Sequence, residues 1–137
     1  MTERTRAGKL ALGVGCERGA PPAPLRALVE DVLARRGIDR QRIAVVASID
    51  AREDEPAVLE VAALLGAATR FYPAETLEAM TPRLAHPSDR VFRHVGCHGV
   101  AEAAALAAAG EAAVLQVEKT VGRGCTVAIA GPVGDKP

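Results

Sequence analysis

The sequence predicts a three-layer α/β/α sandwich with a mixed, mostly parallel sheet of about five strands. Short apolar runs alternate with segments of helical periodicity, a pattern typical of parallel α/β folds. Only a short loop separates the last two apolar runs, which indicates an antiparallel hairpin. The 137 residues, 49% of them hydrophobic, suffice for one domain with its own core. We therefore expect a single domain over residues 1–137, with its core at about residues 9–131.

The first strand is predicted at Lys9 to Gly15, where an apolar run ends in glycines that favour a tight turn. A helix should follow, because prolines are tolerated in a first helical turn and Gly37 is a natural stop. Its apolar stripe has the i, i+3, i+4 spacing of an amphipathic helix and consists of Leu25, Leu28, Val29, Val32 and Leu33. Ile43 to Ile49 is apolar almost throughout, as expected of a central strand covered on both faces.

The middle of the chain predicts a second helix, opened by Pro56 and stopped by Gly66. A short strand at Thr69 to Tyr72 and a short helix at Glu75 to Met80 should follow. Several prolines make the next stretch the least regular part of the chain.

An alanine-rich helix is predicted at Val100 to Ala109, before Gly110. Two final strands are expected at Val114 to Val117 and at Thr126 to Ala130. The loop Glu118 to Cys125 would join them as a hairpin. In such sheets ligands bind at the carboxyl ends of the strands, where the chain direction switches, and the polar loops follow those ends.

Composition excludes several classes of function. The charges of the 17 basic and 17 acidic residues cancel, so no overall positive potential is expected to attract nucleic acid. Aromatic residues make up only 2%, so few side chains could stack on bases. No stretch approaches the roughly 20 apolar residues of a membrane span, and the polar start of the chain has no signal core. Three cysteines without a C-x-x-C pair predict neither a disulfide framework nor a zinc site. We expect a cytoplasmic protein without nucleic-acid or membrane partners.

Two loops that follow predicted strands contain residues that could bind an anion or act as a base. Gly13 to Gly19 (GVGCERG) would let backbone N–H groups approach an anion, although a plain tight turn explains it about as well. Ala47 to Pro56 (ASIDAREDEP) offers Asp50 as a general base and Arg52 as a carboxylate clamp. The alternative is a solvated loop with acids that cap the next helix.

Two further segments are polar at predicted element ends. His94 to Glu102 (HVGCHGVAE) places two imidazoles and a thiol before a helix, but its spacing matches no standard metal site. Glu102 could act as an acid or base, or simply favour the helix dipole. Lys119 is one of three lysines and, in the last hairpin loop with Arg123, could contact an anion; a flexible exposed turn is the alternative.

Together these segments resemble the CobE family and the C-terminal domain of CbiG, proteins of cobalamin biosynthesis. The matching motifs are G-x-G-C-x-R-G at residues 13–19, A-S-I-D-x-[KR]-x-D-E at 47–55, G-V-A-E-A-A-A-L at 99–106, and E-K at 118–119 followed by T-V-A-I-A at 126–130. The similarity runs from about Leu10 to Ala130. The chain departs from the family pattern at Arg52, where Lys is frequent, and at Cys97 and His98, where small or apolar residues are commoner.

The resemblance implies a protein that binds or handles a precorrin, a tetrapyrrole with many carboxylates, without a cofactor or metal of its own. The ligand-binding residues would be Gly15, Cys16, Arg18, Gly19, Ser48, Arg52, His98, Gly99, Lys119 and Arg123. The alternative that it implies is a hydrolase that opens the δ-lactone of a cobalt-precorrin-5A-like intermediate with loss of a two-carbon fragment. Asp50 or Glu102 would then activate water. Other pathway enzymes are expected as partners, and an axial contact from His98 to cobalt is a further hypothesis.

Overall fold

A mixed five-stranded sheet forms the centre of the computed structural model, which describes residues 8–134. Its strands are β1 (Leu10–Cys16), β2 (Ile43–Ile49), β3 (Ala68–Tyr72), β4 (Val114–Gly122) and β5 (Cys125–Gly131), in the spatial order β3-β2-β1-β5-β4. β1, β2 and β3 are parallel, and β5 is antiparallel to both β1 and β4. Only β5 therefore runs against the others, which confirms the predicted mixed, mostly parallel sheet.

The helices of the described chain are α1 (Pro22–Arg36), α2 (Pro56–Leu65), α3 (Ala74–Glu78), α4 (Asp89–Val95) and α5 (Ala101–Ala109). α1 and α2 end, as predicted, at glycines in the left-handed conformation, Gly37 and Gly66. The sequence did not predict α4, a seven-residue helix whose N-cap Ser88 accepts a hydrogen bond from Val91 N–H. None of the helices in residues 8–134 has the length and apolar character needed to cross a membrane.

Two apolar clusters lie on opposite faces of the sheet and make the three layers. Alternate residues of β1, such as Leu12 and Val14, pack with α1 and α2 on one face. Ala11 and the alanines of α5 form the cluster on the other face. The small side chains on that second face allow α5 to lie close to the sheet.

Gly13 shows how close α5 lies. A Cβ atom at this position would collide with the carbonyl oxygen of Ala101 and would lie 2.7 Å from the nitrogen of Ala105. Gly13 therefore lets the first turns of α5 rest directly on β1. This contact fixes the N-terminus of α5 at the carboxyl end of β1.

The predicted loop Glu118 to Cys125 is wrong, because β4 continues to Gly122 and the hairpin turn consists of Arg123 and Gly124. Gly124 has a φ of +69°, a conformation that suits glycine in a tight turn. β4 also carries two bulges, between Leu115 and Val117 and between Val117 and Thr120. The second bulge contains Lys119 and takes it out of regular pairing with β5.

Candidate functional site

The candidate site lies at the carboxyl ends of β1 and β2. The chain leaves the sheet at one edge after β3 and returns at the other edge as β4, so the switch in direction falls beside β1. The same end of the sheet receives the N-terminus of α5 and the turn between β4 and β5. Three of the four predicted polar segments, at residues 13–19, 47–56 and 94–102, therefore meet there. The fourth segment contributes Lys119 from the bulge in β4 and Arg123 from the turn.

The loops after β1 and β2 are joined by a buried carboxylate. Both oxygens of Glu55 accept a hydrogen bond from Gly19 N–H, at 3.0 and 3.1 Å, and the residue is 4% exposed. Glu55 is the N-cap residue of α2, yet its side chain makes no capping hydrogen bond. The predicted alternative of a helix-capping acid is therefore wrong for Glu55, which holds the glycine loop instead.

Arg52 strengthens the same connection. Its Nε–H donates to the carbonyl oxygen of Cys16 at 2.9 Å, and the residue is half-buried. Ser48 lies deeper, where its hydroxyl donates to the carbonyl oxygen of Val14 at 2.6 Å and is fully buried. Arg52 and Ser48 thus brace β1 and its loop, and their contacts with a ligand stay predictions.

Three charged side chains at this end face solvent. Asp50, Arg18 and Arg123 are exposed, and within residues 8–134 their side chains have neither a hydrogen bond nor an ion pair. Glu17 N–H donates to the carbonyl oxygen of Gly124 at 3.1 Å, which places the loop of Arg18 beside the turn of Arg123. These groups are free to meet a ligand.

Cys16 is not an activated nucleophile. Burial, followed by the negative charge of Glu55, raises the pKa of its thiol to about 11. The thiol is therefore protonated near neutral pH, when only a thiolate would be a strong nucleophile. Its predicted role in contacting a ligand would depend on the neutral thiol and on its backbone.

Glu102 lies in the first turn of α5 and is 2% exposed. Its Oε1 accepts hydrogen bonds from the N–H groups of Ala85 and His86, both at 2.9 Å, and its Oε2 accepts one from Lys119 N–H at 2.8 Å. The bulge in β4 frees that last N–H from the ladder. Glu102 therefore ties the segment before α4 to the edge strand, a position that suits a clamp better than a solvent-facing base.

His98 is also held by carboxylates. Its Nδ1 lies 2.9 Å from both oxygens of Glu78, and its Nε2 lies 3.4 Å from Oδ1 of Asp89. The hydrogen bond from His98 lowers the pKa of Glu78, so that carboxyl is ionised near neutral pH. An axial bond to cobalt would require Nε2 to turn away from Asp89, and this role stays a prediction.

The two halves of the site meet at Gly15. A Cβ atom there would lie 3.5 Å from Cβ of Val100, the residue that follows His98 and Gly99 in the chain. Among the residues described, no three His, Cys, Asp or Glu side chains are arranged to hold a metal ion. The N–H groups of Glu17 and Gly19 already donate to Gly124 and Glu55, so the predicted anion contact through them is not open in this structure; the site offers exposed cations and the free carboxylate of Asp50.

Sequence reasoning missed the buried contact of Glu55 with Gly19, the contact of the partly exposed Glu78 with His98, and the hydrogen bonds of Arg83. The Arg83 guanidinium donates to the carbonyl oxygens of Gly110 and Ala113, at 3.3 and 2.6 Å, and so ties the turn after α3 to the end of α5. The only available signal was the acidic residue that precedes Pro56. Nothing in the sequence marked the partners of the other two residues.

A mixed sheet covered by helices on both faces, with polar loops and the exposed cations Arg18 and Arg123 at the carboxyl end of its central strand, places the chain in the class of three-layer α/β domains. The family model described as "Cobalamin synthesis G C-terminus" matches residues 10–130. The chain belongs to this family, and it is a cobalamin biosynthesis protein of the CobE/CbiG type.

Individual relatives agree with this assignment. The chain is 50% identical to Protein CobE of Sinorhizobium sp over 131 residues, which cover 95% of this chain and 85% of that protein. It is similar to the crystal structure of CobE, a protein from the cobalamin biosynthetic pathway, with a TM-score of 0.81, 38% identity and 89% of each chain covered. It is also 31% identical to the cobalt-precorrin-5A hydrolase of Priestia megaterium, over 88% of this chain but only 32% of that enzyme.

Proposed function

We propose that this protein binds a precorrin-type tetrapyrrole at the carboxyl ends of β1 and β2. The observation that carries the proposal is the loop Cys16 to Gly19, which Glu55 and Arg52 hold in place from the neighbouring strand. A preformed loop loses little conformational entropy when a ligand binds.

Charge supports the same ligand class. Arg18 and Arg123 are exposed cations beside this loop, and Lys119 is half-buried in the bulge of β4. Within the described residues none of the three cationic groups is paired with a carboxylate. A tetrapyrrole with carboxylates around its rim would supply several partners at once, since guanidinium groups bind carboxylates bidentately.

The experiment is an absorbance titration with two probes that differ in rim charge: uroporphyrin III, which carries carboxylates, and cobinamide, a corrin whose acetamide and propionamide groups replace them. We expect binding of uroporphyrin III, weaker binding of cobinamide, and at least tenfold weaker uroporphyrin III binding for Arg18→Ala combined with Lys119→Ala. Arg35→Ala is the matched control, because Arg35 pairs with Asp31 on α1, away from the site. Equal affinities of the double variant and the wild type would refute this site.

A second function, hydrolysis of a precorrin lactone, is supported by the exposed and unpaired carboxylate of Asp50 and by the hydrolase of Priestia megaterium. Of the two predicted bases, only Asp50 has an open carboxylate, because three N–H groups occupy that of Glu102. Asp50 would activate a water for attack on the lactone carbonyl, which breaks the ester C–O bond and frees an alcohol. The C–C bond between this carbinol carbon and the macrocycle then breaks, so that the two-carbon fragment leaves as acetaldehyde and the macrocycle carbon takes up a proton. The test is acetaldehyde release from a lactone-bearing precorrin by wild type and Asp50→Asn; equal release by both would exclude Asp50, and none by the wild type would leave the binding role alone.

A further inference from the structure

Helix α4 presents an exposed aromatic ring in a chain that has very few. Phe92 is 43% exposed, and its ring stacks on the imidazole of His98 with centroids 4.5 Å apart and planes at 18°. Only two Phe and one Tyr occur in the whole sequence. One face of the Phe92 ring is thus supported by a second flat group, while part of the ring remains open to solvent.

The imidazole of the pair has contacts on both of its ring nitrogens. Glu78 fixes Nδ1 of His98 through two contacts of 2.9 Å, and Asp89 approaches Nε2 from α4 itself. The backbone of Ser88 donates to the carbonyl oxygen of His98 at 2.7 Å. Two contacts, from Ser88 at the N-cap and from Asp89, therefore join the start of α4 to the residue on which its ring stacks, and Glu78 of α3 holds the same imidazole through Nδ1.

The position of the pair relates it to the candidate site. His98 is two residues from Val100, whose Cβ lies 3.5 Å from the Cβ position of Gly15. Arg90 and Arg93 are exposed on α4, but only Arg93 is a neighbour of Phe92, since residues two apart, such as Arg90 and Phe92, point to different sides of a helix. Across residues 8–134, neither arginine has an ion pair.

We propose that the stacked pair Phe92 and His98 is an additional wall of the binding site, on which the ring of a tetrapyrrole lies flat. Arg93, next to Phe92 in α4, would meet a carboxylate at the rim of the same ligand. A flat conjugated ring gains from an offset stack on an aromatic face, and carboxylates gain from adjacent guanidinium groups. This inference rests on the proposed function and extends it to a surface that the family motifs do not include.

The test compares uroporphyrin III affinity among variants of one position. We expect Phe92→Ala to bind about fivefold to tenfold more weakly, since it removes both the buried apolar area and the stacking contact of the ring. Phe92→Tyr keeps the ring and should bind within about twofold of the wild type. Leu59→Ala is the control, because Leu59 is a similarly exposed apolar residue, 41% exposed, on α2.

Two further measurements keep the test decisive. If Phe92→Ala loses helical circular dichroism, Phe92→Leu replaces it, because leucine keeps apolar bulk without an aromatic face; it should also bind more weakly. In proton NMR, the Phe92 ring signals of the wild type should move upfield on addition of uroporphyrin III. If the Phe92 ring signals do not change on addition of uroporphyrin III, and the folded Phe92 variant binds with wild-type affinity, the proposal that Phe92 and His98 contact the ligand is refuted.

The outcomes also separate this inference from the proposed function. If the wild type binds no uroporphyrin III, the proposed function fails and this wall fails with it. If the wild type binds, and the Arg18→Ala and Lys119→Ala double variant is weakened while the Phe92 variants are not, only the wall is refuted.

Discussion

Replacement of Glu102 tests whether this residue is a structural clamp. Its buried carboxylate accepts hydrogen bonds from the backbone N–H groups of Ala85, His86 and Lys119, at 2.8 to 2.9 Å. A hydrogen bond to a charged group contributes about 1.5–3 kcal/mol, so three bonds set an upper limit of roughly 5–9 kcal/mol. Ala85 and His86 are exposed residues whose N–H groups can regain water, so we expect Glu102→Ala to lower the free energy of unfolding by about 3–4 kcal/mol.

Glu102→Gln is the sharper variant, because it keeps the size of the side chain. Its amide has one acceptor oxygen, so the NH₂ group must face an N–H donor on one side. We expect a loss of about 2 kcal/mol in the free energy of unfolding. The assay is urea denaturation followed by circular dichroism.

Asp50→Asn is the matched control, since its exposed carboxylate has no partner in residues 8–134 and its replacement should change stability by less than about 0.5 kcal/mol. A Glu102→Gln protein as stable as the wild type would show that the three hydrogen bonds do not hold the fold together. The interpretation of Glu102 as a clamp would then be refuted, and its predicted role as an acid or base would remain as the alternative.

Three other perturbations follow from the structure. Gly13→Ala should destabilise the fold by about 3 kcal/mol through its collision with α5, whereas Gly134→Ala, with its nearest neighbour 3.7 Å away, should be nearly neutral in the same urea assay. The hydrogen bond with His98 lowers the pKa of Glu78 in the folded state, so this pair stabilises the fold above the ordinary glutamate pKa, and that stability is lost as the pH falls through the lowered value. Glu78→Gln should therefore make the free energy of unfolding depend less on pH in the acid range, and an unchanged dependence would contradict this. With a pKa of about 11, Cys16 should react with iodoacetamide much more slowly than free cysteine at pH 7.5, as peptide mass spectrometry can show; rapid labelling would contradict its burial.

Local patterns predicted most of the secondary structure. Prolines and glycines marked the ends of α1 and α2, and the apolar run of β2 was found with its observed bounds, Ile43–Ile49. The failures were α4, which is short and held by contacts with distant residues, and the second half of β4. That half is polar and contains glycine, so its local sequence resembles a loop. Only the pairing of Thr120 to Gly122 with β5 makes it a strand.

The candidate site was predicted less completely than the fold. The motif loops after β1 and β2 do lie together, because parallel strands bring their carboxyl ends to one side of a sheet. The sequence could not show that Glu55 would reach Gly19, 36 residues away, while the neighbouring Asp50 stays in solvent. Acidic residues in one loop look alike until the sheet gives each a different environment.

The sequence alone determined the layered α/β architecture, the polar loops at the strand ends and the resemblance to a cobalamin biosynthesis family, because periodicity and motif spacing are local properties of the chain. The tertiary structure decided which polar groups turn inward. Ser48, Glu55 and Glu102 became braces, and Arg18, Asp50 and Phe92 remained at the surface. A buried polar group must find a hydrogen-bond partner, and that partner can lie anywhere along the chain that folding brings within reach.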